Sequence, residues 1–255
     1  MSLHDWPLVG RTKWVGLGNY KDLVTDSSFL HSLGLSLLFV LVATPLSVLL
    51  GLALAVLVQK NRTGAGVFRS VFFLPMVIGF AAAAYIWLWL LNPDVGHVNQ
   101  ILGDLGLMDK PILWLAHTGT ALVAAVSLFV WKNVGFSMLL LMGGLQSIPD
   151  EIREAAAIDG AGRMRTFGSI TLPMMRRTIA LVLVFSTVGS VLVFEPFYIL
   201  TRGGPGNSTT GVVQWVFSTS FFNFDLGYGA AASLVLLALL VFFSAFQLRA
   251  MRDES

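Results

Sequence analysis

Two ionisable side chains stand inside long apolar stretches of this chain, Lys132 and Glu195. A charge in hydrocarbon is costly, so such a residue faces a bundle interior or a wet cavity and starts as a candidate for a solute path. The two are able to pair, although spacing alone does not bring them together. Lys132 also has a plainer reading, in which its span ends earlier and the ammonium snorkels to the interface. Glu195-Pro196 predicts a kink that opens irregular backbone toward a cavity. Chemistry of other kinds lacks its residues. There are no cysteines, which excludes a disulfide scaffold, an iron–sulfur site and a thiolate-held zinc. No Gly-x-x-x-x-Gly-Lys-[Ser/Thr] phosphate loop, His-Glu-x-x-His or Gly-x-Ser-x-Gly occurs. His4, His31, His97 and His117 are scattered without ligand spacing. The chain is therefore not expected to be an enzyme, nor to bind a metal or cofactor itself.

The elements that carry these residues follow from composition. Of 255 residues 56% are hydrophobic and 12% charged, against about 25% charged in an ordinary soluble domain; the mean hydropathy is +0.78. Too few polar groups remain to cover a water-facing surface, and disorder is excluded by the same balance. A formal net charge of +2 is too small to suggest a nucleic-acid surface, despite a pI near 9.1. Five segments reach the roughly 20 apolar residues a spanning helix needs: 34–58, 71–91, 119–145, 178–200 and 227–248. The fold class is an all-α integral membrane protein with five transmembrane helices. Pro45 and Pro75 lie within spans, where neighbouring helices can re-satisfy the freed backbone groups.

Orientation follows from lysine and arginine placement. One face holds ten: Lys60, Arg62, Arg69, Arg153, Arg163, Arg165, Arg176, Arg177, Arg249 and Arg252. The other holds five: Arg11, Lys13, Lys21, Lys110 and Arg202. The ten-base face is expected to be cytoplasmic in a bacterial-type cell membrane. Residues 1–32 then form an outer segment, 33–248 the transmembrane domain and 249–255 a cytoplasmic tail. Residues 1–32 contain no apolar run of signal-peptide length.

The most polar stretch between spans, residues 146–177, lies on the cytoplasmic side. Ser147 and Asp150 have capping-box spacing, and Pro149 suits a first turn. Good helix formers run from Glu151 to Ile158, and Gly160 suits the left-handed residue that ends a helix. A second short helix is predicted over 163–170, with Met164, Phe167 and Ile170 on one face and Pro173 leading into the fourth span. Residues alone leave two readings: a slim knob that enters a partner's groove, or an amphipathic segment lying on lipid headgroups.

Glu154-Ala155-Ala156, Asp159-Gly160-Ala161, Phe167, Ile170 and Leu172-Pro173, approached by Leu145-Gln146-Ser147-Ile148-Pro149, resemble the EAA loop of permease subunits in binding-protein-dependent ABC importers. Val15 to Tyr20, Trp131 to Phe136, Leu200 to Pro205 and Asp225 to Ala231 are similar to segments of the carbohydrate (maltose/glycerol-phosphate/trehalose-type) branch. The resemblance implies that Glu154, Ala155, Ala156, Asp159, Gly160, Ala161 and Pro173 couple the chain to a separate ATPase, which uses ATP and magnesium. It implies as partners a second permease subunit, different from this one, two ATPase subunits and an extracytoplasmic solute-binding protein, besides membrane lipid. The solute would be a sugar or related polar molecule moved by alternating access. These permeases usually carry a further N-terminal helix, and Met1 to Trp6 stand about where it should end; the expectation is a truncated start, the alternative a protein without that helix.

For a sugar, aromatic surfaces and hydrogen-bonding side chains are the natural site. Lys132, Glu195, Phe197 and Tyr198 are the candidate path, with Phe194 beside them and Tyr85, Trp87 and Trp89 in the second span. Trp87, Trp89 and Trp114 are read first as an interfacial aromatic belt. Gly203, Gly204 and Pro205 make a turn suited to contact with the binding protein, or simply a turn. Asn61-Arg62-Thr63 and Asn207-Ser208-Thr209 match glycosylation sequons and are read as incidental. The competing function is a secondary transporter or channel with Lys132 and Glu195 in its pathway.

Overall fold

The computed structural model describes residues 1–7, 10–59 and 64–250, with the side chains of Arg153 and Ala250 set aside. Lys60, Arg62 and Arg252 of the basic face, and the first sequon, lie outside the described residues. Among the described residues four helices are long and apolar enough to cross a bilayer: Ser27–Val58, Thr118–Gln146, Arg176–Thr201 and Leu226–Arg249. The predicted second span is instead a broken pair, α3 (Ala65–Val77) and α4 (Phe80–Leu90). Between them Ile78 (φ −69°, ψ 131°) and Gly79 (φ −57°, ψ 140°) are extended. Pro75 is absorbed inside α3; the break falls three residues later, where backbone groups need partners of another kind.

The four long spans are α2 (Ser27–Val58), α6 (Thr118–Gln146), α10 (Arg176–Val191, continued by a π-helical turn) and α12 (Leu226–Ala250). Shorter helices among the described residues are α1 (Gly18–Thr25), α5 (His97–Asp104), α7 (Asp150–Ile158), α8 (Arg163–Thr166), α9 (Leu172–Met174) and α11 (Val212–Phe221). Wider π-helical turns occupy Phe167–Thr171 and Pro196–Thr201. Where a kink is expected at Glu195-Pro196, the helical ladder is interrupted just before it, at residues 192–194: α10 ends at Val191, and Pro196 opens the next helical turn. A short strand β1 (His4–Asp5) pairs antiparallel with β2 (Lys13–Trp14).

The chain divides into two compact units. The first comprises residues 1–42, 79–129 and 189–243. Asp26 caps α2, its Oδ1 accepting from the Ser28 and Phe29 amides (2.8 and 3.1 Å), which satisfies two of the first-turn donors a helix leaves open. Its Oδ2 accepts from the Tyr228 hydroxyl at 3.0 Å, so one carboxylate ties α2 to α12. The core is aromatic: Phe39 packs edge-on against Phe129 and Phe197, centroids 5.5 and 5.0 Å apart, and Trp215 against Phe29 at 5.1 Å. The Val212 amide at the start of α11 donates to Ser36 Oγ at 2.8 Å. The N-terminal segment docks here too, the Trp6 carbonyl accepting from the Leu226 and Gly227 amides.

The second unit comprises residues 43–78, 130–188 and the stretch from Ser244. Val48, Ala55, Met138, Leu141, Met142, Leu145, Ile148, Met175 and Val182 form its buried core. Lipid tails are as apolar as leucine, so close backbone approach takes over from hydrophobic burial as the main attraction between spans. Three glycines provide it: a methyl group on Gly51 would lie 2.6 Å from Ser137 Cβ, one on Gly144 2.7 Å from Thr178 Oγ1, and one on Gly135 would overlap the Phe72 carbonyl.

Candidate functional site

Residues 146–177 fold as the predicted short helices, with one difference at the start. Ser147 does not cap α7: its amide still bonds back to Gly143, and its hydroxyl donates to the Gly144 carbonyl at 2.8 Å. Pro149, in extended conformation (ψ 140°), takes the cap position instead. The capping box therefore does not form, because Ser147 belongs to the last turn of α6. Asp150 and Glu151 occupy the first turn of α7, where negative charge suits the helix dipole.

The C-terminus of α7 follows the expectation closely. Gly160 has φ +75°, its amide donates to the Ala157 carbonyl at 3.1 Å, and the Ala161 amide reaches back to Ala156 at 2.9 Å. This is a Schellman closure, which satisfies the last carbonyls and requires the left-handed residue. Leu145 and Ile148, buried at the approach, and Met175, buried after α9, anchor both ends of the loop in the core of the second unit. Ala156 turns inward at 5% exposure, while Glu154, Ala155, Ala157, Asp159 and Gly160 are exposed. Ile158 and Met164 are 86% and 85% exposed. Phe167 and Ile170 are half-buried and Met164 is not, so the predicted shared face is split between core and solvent. The second helix is longer than 163–170: helical turns run with local irregularities from Arg163 through Pro173 into α10.

Lys132 has structural work. Its Nζ donates to the carbonyls of Pro75 (3.4 Å), Met76 (3.0 Å) and Ile78, and the side chain is 7% exposed. These carbonyls belong to the broken end of α3, which no further helical turn satisfies, and a cation at a helix C-terminus is also favoured by the dipole. Among the sequence candidates for a path, Glu195 is half-buried. Phe197 is 1% exposed and fills the core between Phe39 and Gly211. Tyr198 stacks on Phe194, centroids 4.6 Å apart, and lines a cavity of about 390 Å³ with Tyr85, Arg202 and Phe222. Trp87 donates to Ser127 Oγ at 2.9 Å and Trp114 to Asn99 Oδ1 at 2.9 Å, while Trp89 is half-exposed against His97.

The turn after the fourth span is held by its own hydrogen bonds. Arg202, Gly203, Gly206 and Asn207 all have positive φ, and the Gly204-Pro205 peptide is cis. Thr209 Oγ1 donates to Thr201 Oγ1 at 2.8 Å and bonds the Gly204 carbonyl, and the Thr209 amide reaches the Gly203 carbonyl at 3.0 Å. Gly203 is buried beneath Thr210, whereas Pro205, Gly206 and Asn207 form an exposed tip.

The stretch 201–226 also holds α11, which was not anticipated. Beside it lies a polar cavity of about 540 Å³. Gln214 and Ser218 line both this cavity and the one at Tyr198. Their signal in the sequence is Gln214, Ser218, Thr219 and Ser220 within an otherwise apolar ten-residue run.

Residues 47–252 match the model of the family described as binding-protein-dependent transport system inner membrane component. The chain belongs to this family. The permease is 34% identical over 251 residues to the trehalose/maltose transport system permease protein MalF of Thermococcus litoralis, covering 98% of this chain and 84% of that one. It is 32% identical over 252 residues to the probable ABC transporter permease protein YurN of Bacillus subtilis, covering 98% and 86%. Its fold resembles that of a bacterial ABC transporter involved in the import of the acidic polysaccharide alginate, with TM-score 0.80, 22% identity and coverage of 94% and 84%. The permease is a multi-pass membrane protein of the ABC importer class.

Proposed function

We propose that this permease moves a sugar or related polar solute inward by alternating access, driven through the 146–177 loop by a separate ATPase. The observation that carries the coupling is α7 itself. It is a short helix with an acidic start and a Schellman end, in a loop whose two ends are fixed in the core at Leu145, Ile148 and Met175, and the loop presents Ile158 of α7 and Met164 of α8 to the medium. Apolar side chains so exposed on a rigid knob suit the groove of a protein partner. A closing ATPase pair would push on Glu154, Ala155, Asp159, Gly160 and Ala161, with Ala156 and Pro173 holding the knob to the spans. ATP and magnesium would be bound by that pair and no cofactor by this chain.

The carbohydrate reading is supported by the relatives. One is named for trehalose and maltose, another, from Agrobacterium fabrum, for sulfoquinovosyl glycerol, and a related alginate transporter has been solved with a pentasaccharide-bound periplasmic protein. The binding protein would dock at the exposed Pro205 tip, with Gly203 and Gly204 shaping the turn. A second, different permease would complete the pore, with 33–248 as the membrane domain and the 249–255 tail on the cytoplasmic side. Lys132 acts in this reading as an anchor of α3, which removes one of the two charges a secondary transporter would use.

The test is co-purification from the native membrane of the tagged chain, beside its Gly160→Trp variant. The positive φ at Gly160 disfavours any side chain, and an indole there obstructs the knob. Recovery of an ATPase with the wild type and its loss with the variant is the expected result. A stably inserted wild-type chain that brings down no ATPase overturns the proposal.

A further inference from the structure

The cavity beside α11 has a chemical character of its own. Its walls include Ser32, Asn207, Gln214, Ser218, Thr219 and Asn223, groups that both donate and accept hydrogen bonds. Among the described residues no carboxylate, ammonium or guanidinium lines it, and its titratable group is the imidazole of the exposed His31. Gln214 is 8% exposed, and its Oε1 is buried without a hydrogen-bond partner. Buried polar atoms are nearly always paired, and one that is not favours any ligand bringing a donor. At about 540 Å³ the space lies within the roughly 300–1,000 Å³ of pockets that hold small molecules. The adjoining cavity shares Gln214 and Ser218, adds the aromatic surfaces of Tyr85, Tyr198 and Phe222, and carries the guanidinium of Arg202, a donor that suits a hydroxyl oxygen. Hydroxyl-matching walls next to aromatic faces are what a neutral polyol needs, since each sugar ring has a hydroxyl rim and an apolar face.

We propose that these two cavities form an outer solute subsite, in which Gln214 and Ser218 hold a neutral, polyhydroxylated solute as it leaves the binding protein. This rests on the carbohydrate reading above. Asn207 and Ser208 of the docking turn are part of the rim, so a solute released at the turn meets this cavity first. A protein segment is the weaker fit. Interface cores are built on aromatic and other apolar anchors, whereas the large aromatic wall of this cavity, Trp215, is 7% exposed with its N–H given to Ser28 Oγ at 3.0 Å, and the other ring, His31, is polar.

The absence of cysteine from the chain allows a direct test. Ser218→Cys is made in the assembled importer, and its modification by a neutral methanethiosulfonate is followed by the mass of this chain. The probes are maltose, trehalose and glucose, with glycine betaine as a control that lacks hydroxyls. ATPase stimulation by the same sugars, through the binding protein, is measured in parallel. At least one sugar should slow modification fivefold or more, and the added substitution Gln214→Leu should remove the protection. A cysteine at the exposed Val24 should be unaffected. Sugars that stimulate the ATPase but leave modification of Ser218→Cys unchanged overturn the subsite and spare the function. Absence of stimulation by any sugar counts against the carbohydrate reading, while protection, read separately, still decides the cavity. Protection by the empty binding protein alone would assign the cavity to a protein segment and overturn the proposal.

Discussion

Replacing Lys132 by methionine separates an anchoring role from a role on the solute. The ammonium serves three carbonyls at the end of α3, with Met76 and Ile78 the closer partners and Pro75 at 3.4 Å. A hydrogen bond from a charged donor contributes about 1.5–3 kcal/mol, and a buried acceptor left without a donor costs about 1–3 kcal/mol. Methionine recovers part of this, because burying the ammonium is itself unfavourable. The net loss should be about 2–4 kcal/mol, which for a chain of this length lowers the melting temperature by roughly 5–15 °C. Unfolding in detergent, followed by tryptophan fluorescence, reads the shift, and ATP-driven uptake reads the function. Lys132→Arg keeps the charge and should retain part of the stability, although a planar fork cannot reach three carbonyls as one ammonium does. A melting temperature within about 2 °C of wild type, combined with abolished uptake by Lys132→Met, would refute the anchor and make the ammonium a solute contact.

Three further outcomes follow from the packing. Gly135→Ala drives a methyl group into the Phe72 carbonyl and within 3.0 Å of Phe73 Cα; it should cost about 3 kcal/mol and sharply reduce the yield of folded protein. Ile158→Asp, at an 86% exposed position, should leave stability within about 0.5 kcal/mol and weaken ATPase association at least tenfold in a binding titration. Thr209→Val removes the hydroxyl bonds to Thr201 and Gly204. It should loosen the turn by about 1–2 kcal/mol, seen as faster amide exchange over 201–211, and weaken docking of the binding protein.

Where one physical rule governs a segment, the sequence makes it legible. Apolar runs with few charges give the long helices, and their ends differ from expectation by only a few residues except for α2, which starts at Ser27 rather than 34. Gly160 follows a helix-forming run, and the left-handed closure appears there. Segments ruled by contacts distant in sequence are not legible in this way. The second span looks continuous in hydropathy, yet breaks at Ile78-Gly79, where Lys132, 54 residues further on, takes up the freed carbonyls. Ser147 has capping-box spacing, but its amide closes the last turn of α6 and its hydroxyl turns back to Gly144. Phe197 and Tyr198 are adjacent and alike in chemistry; the close approach of Gly211 makes a core residue of the first and leaves the second at a cavity. The Gln214 cavity was missed because α11 lies in a stretch read only as an external loop.

The central claim is that ATP hydrolysis by a partner, acting through residues 146–177, drives solute across the membrane through this chain. Uptake of radiolabelled maltose and trehalose into proteoliposomes containing the assembled importer tests it most directly, with the binding protein outside and nucleotide inside. Uptake that needs both ATP and the binding protein, and fails with Gly160→Trp, is the predicted result. Uptake that proceeds without ATP and follows an imposed proton or sodium gradient would contradict the account.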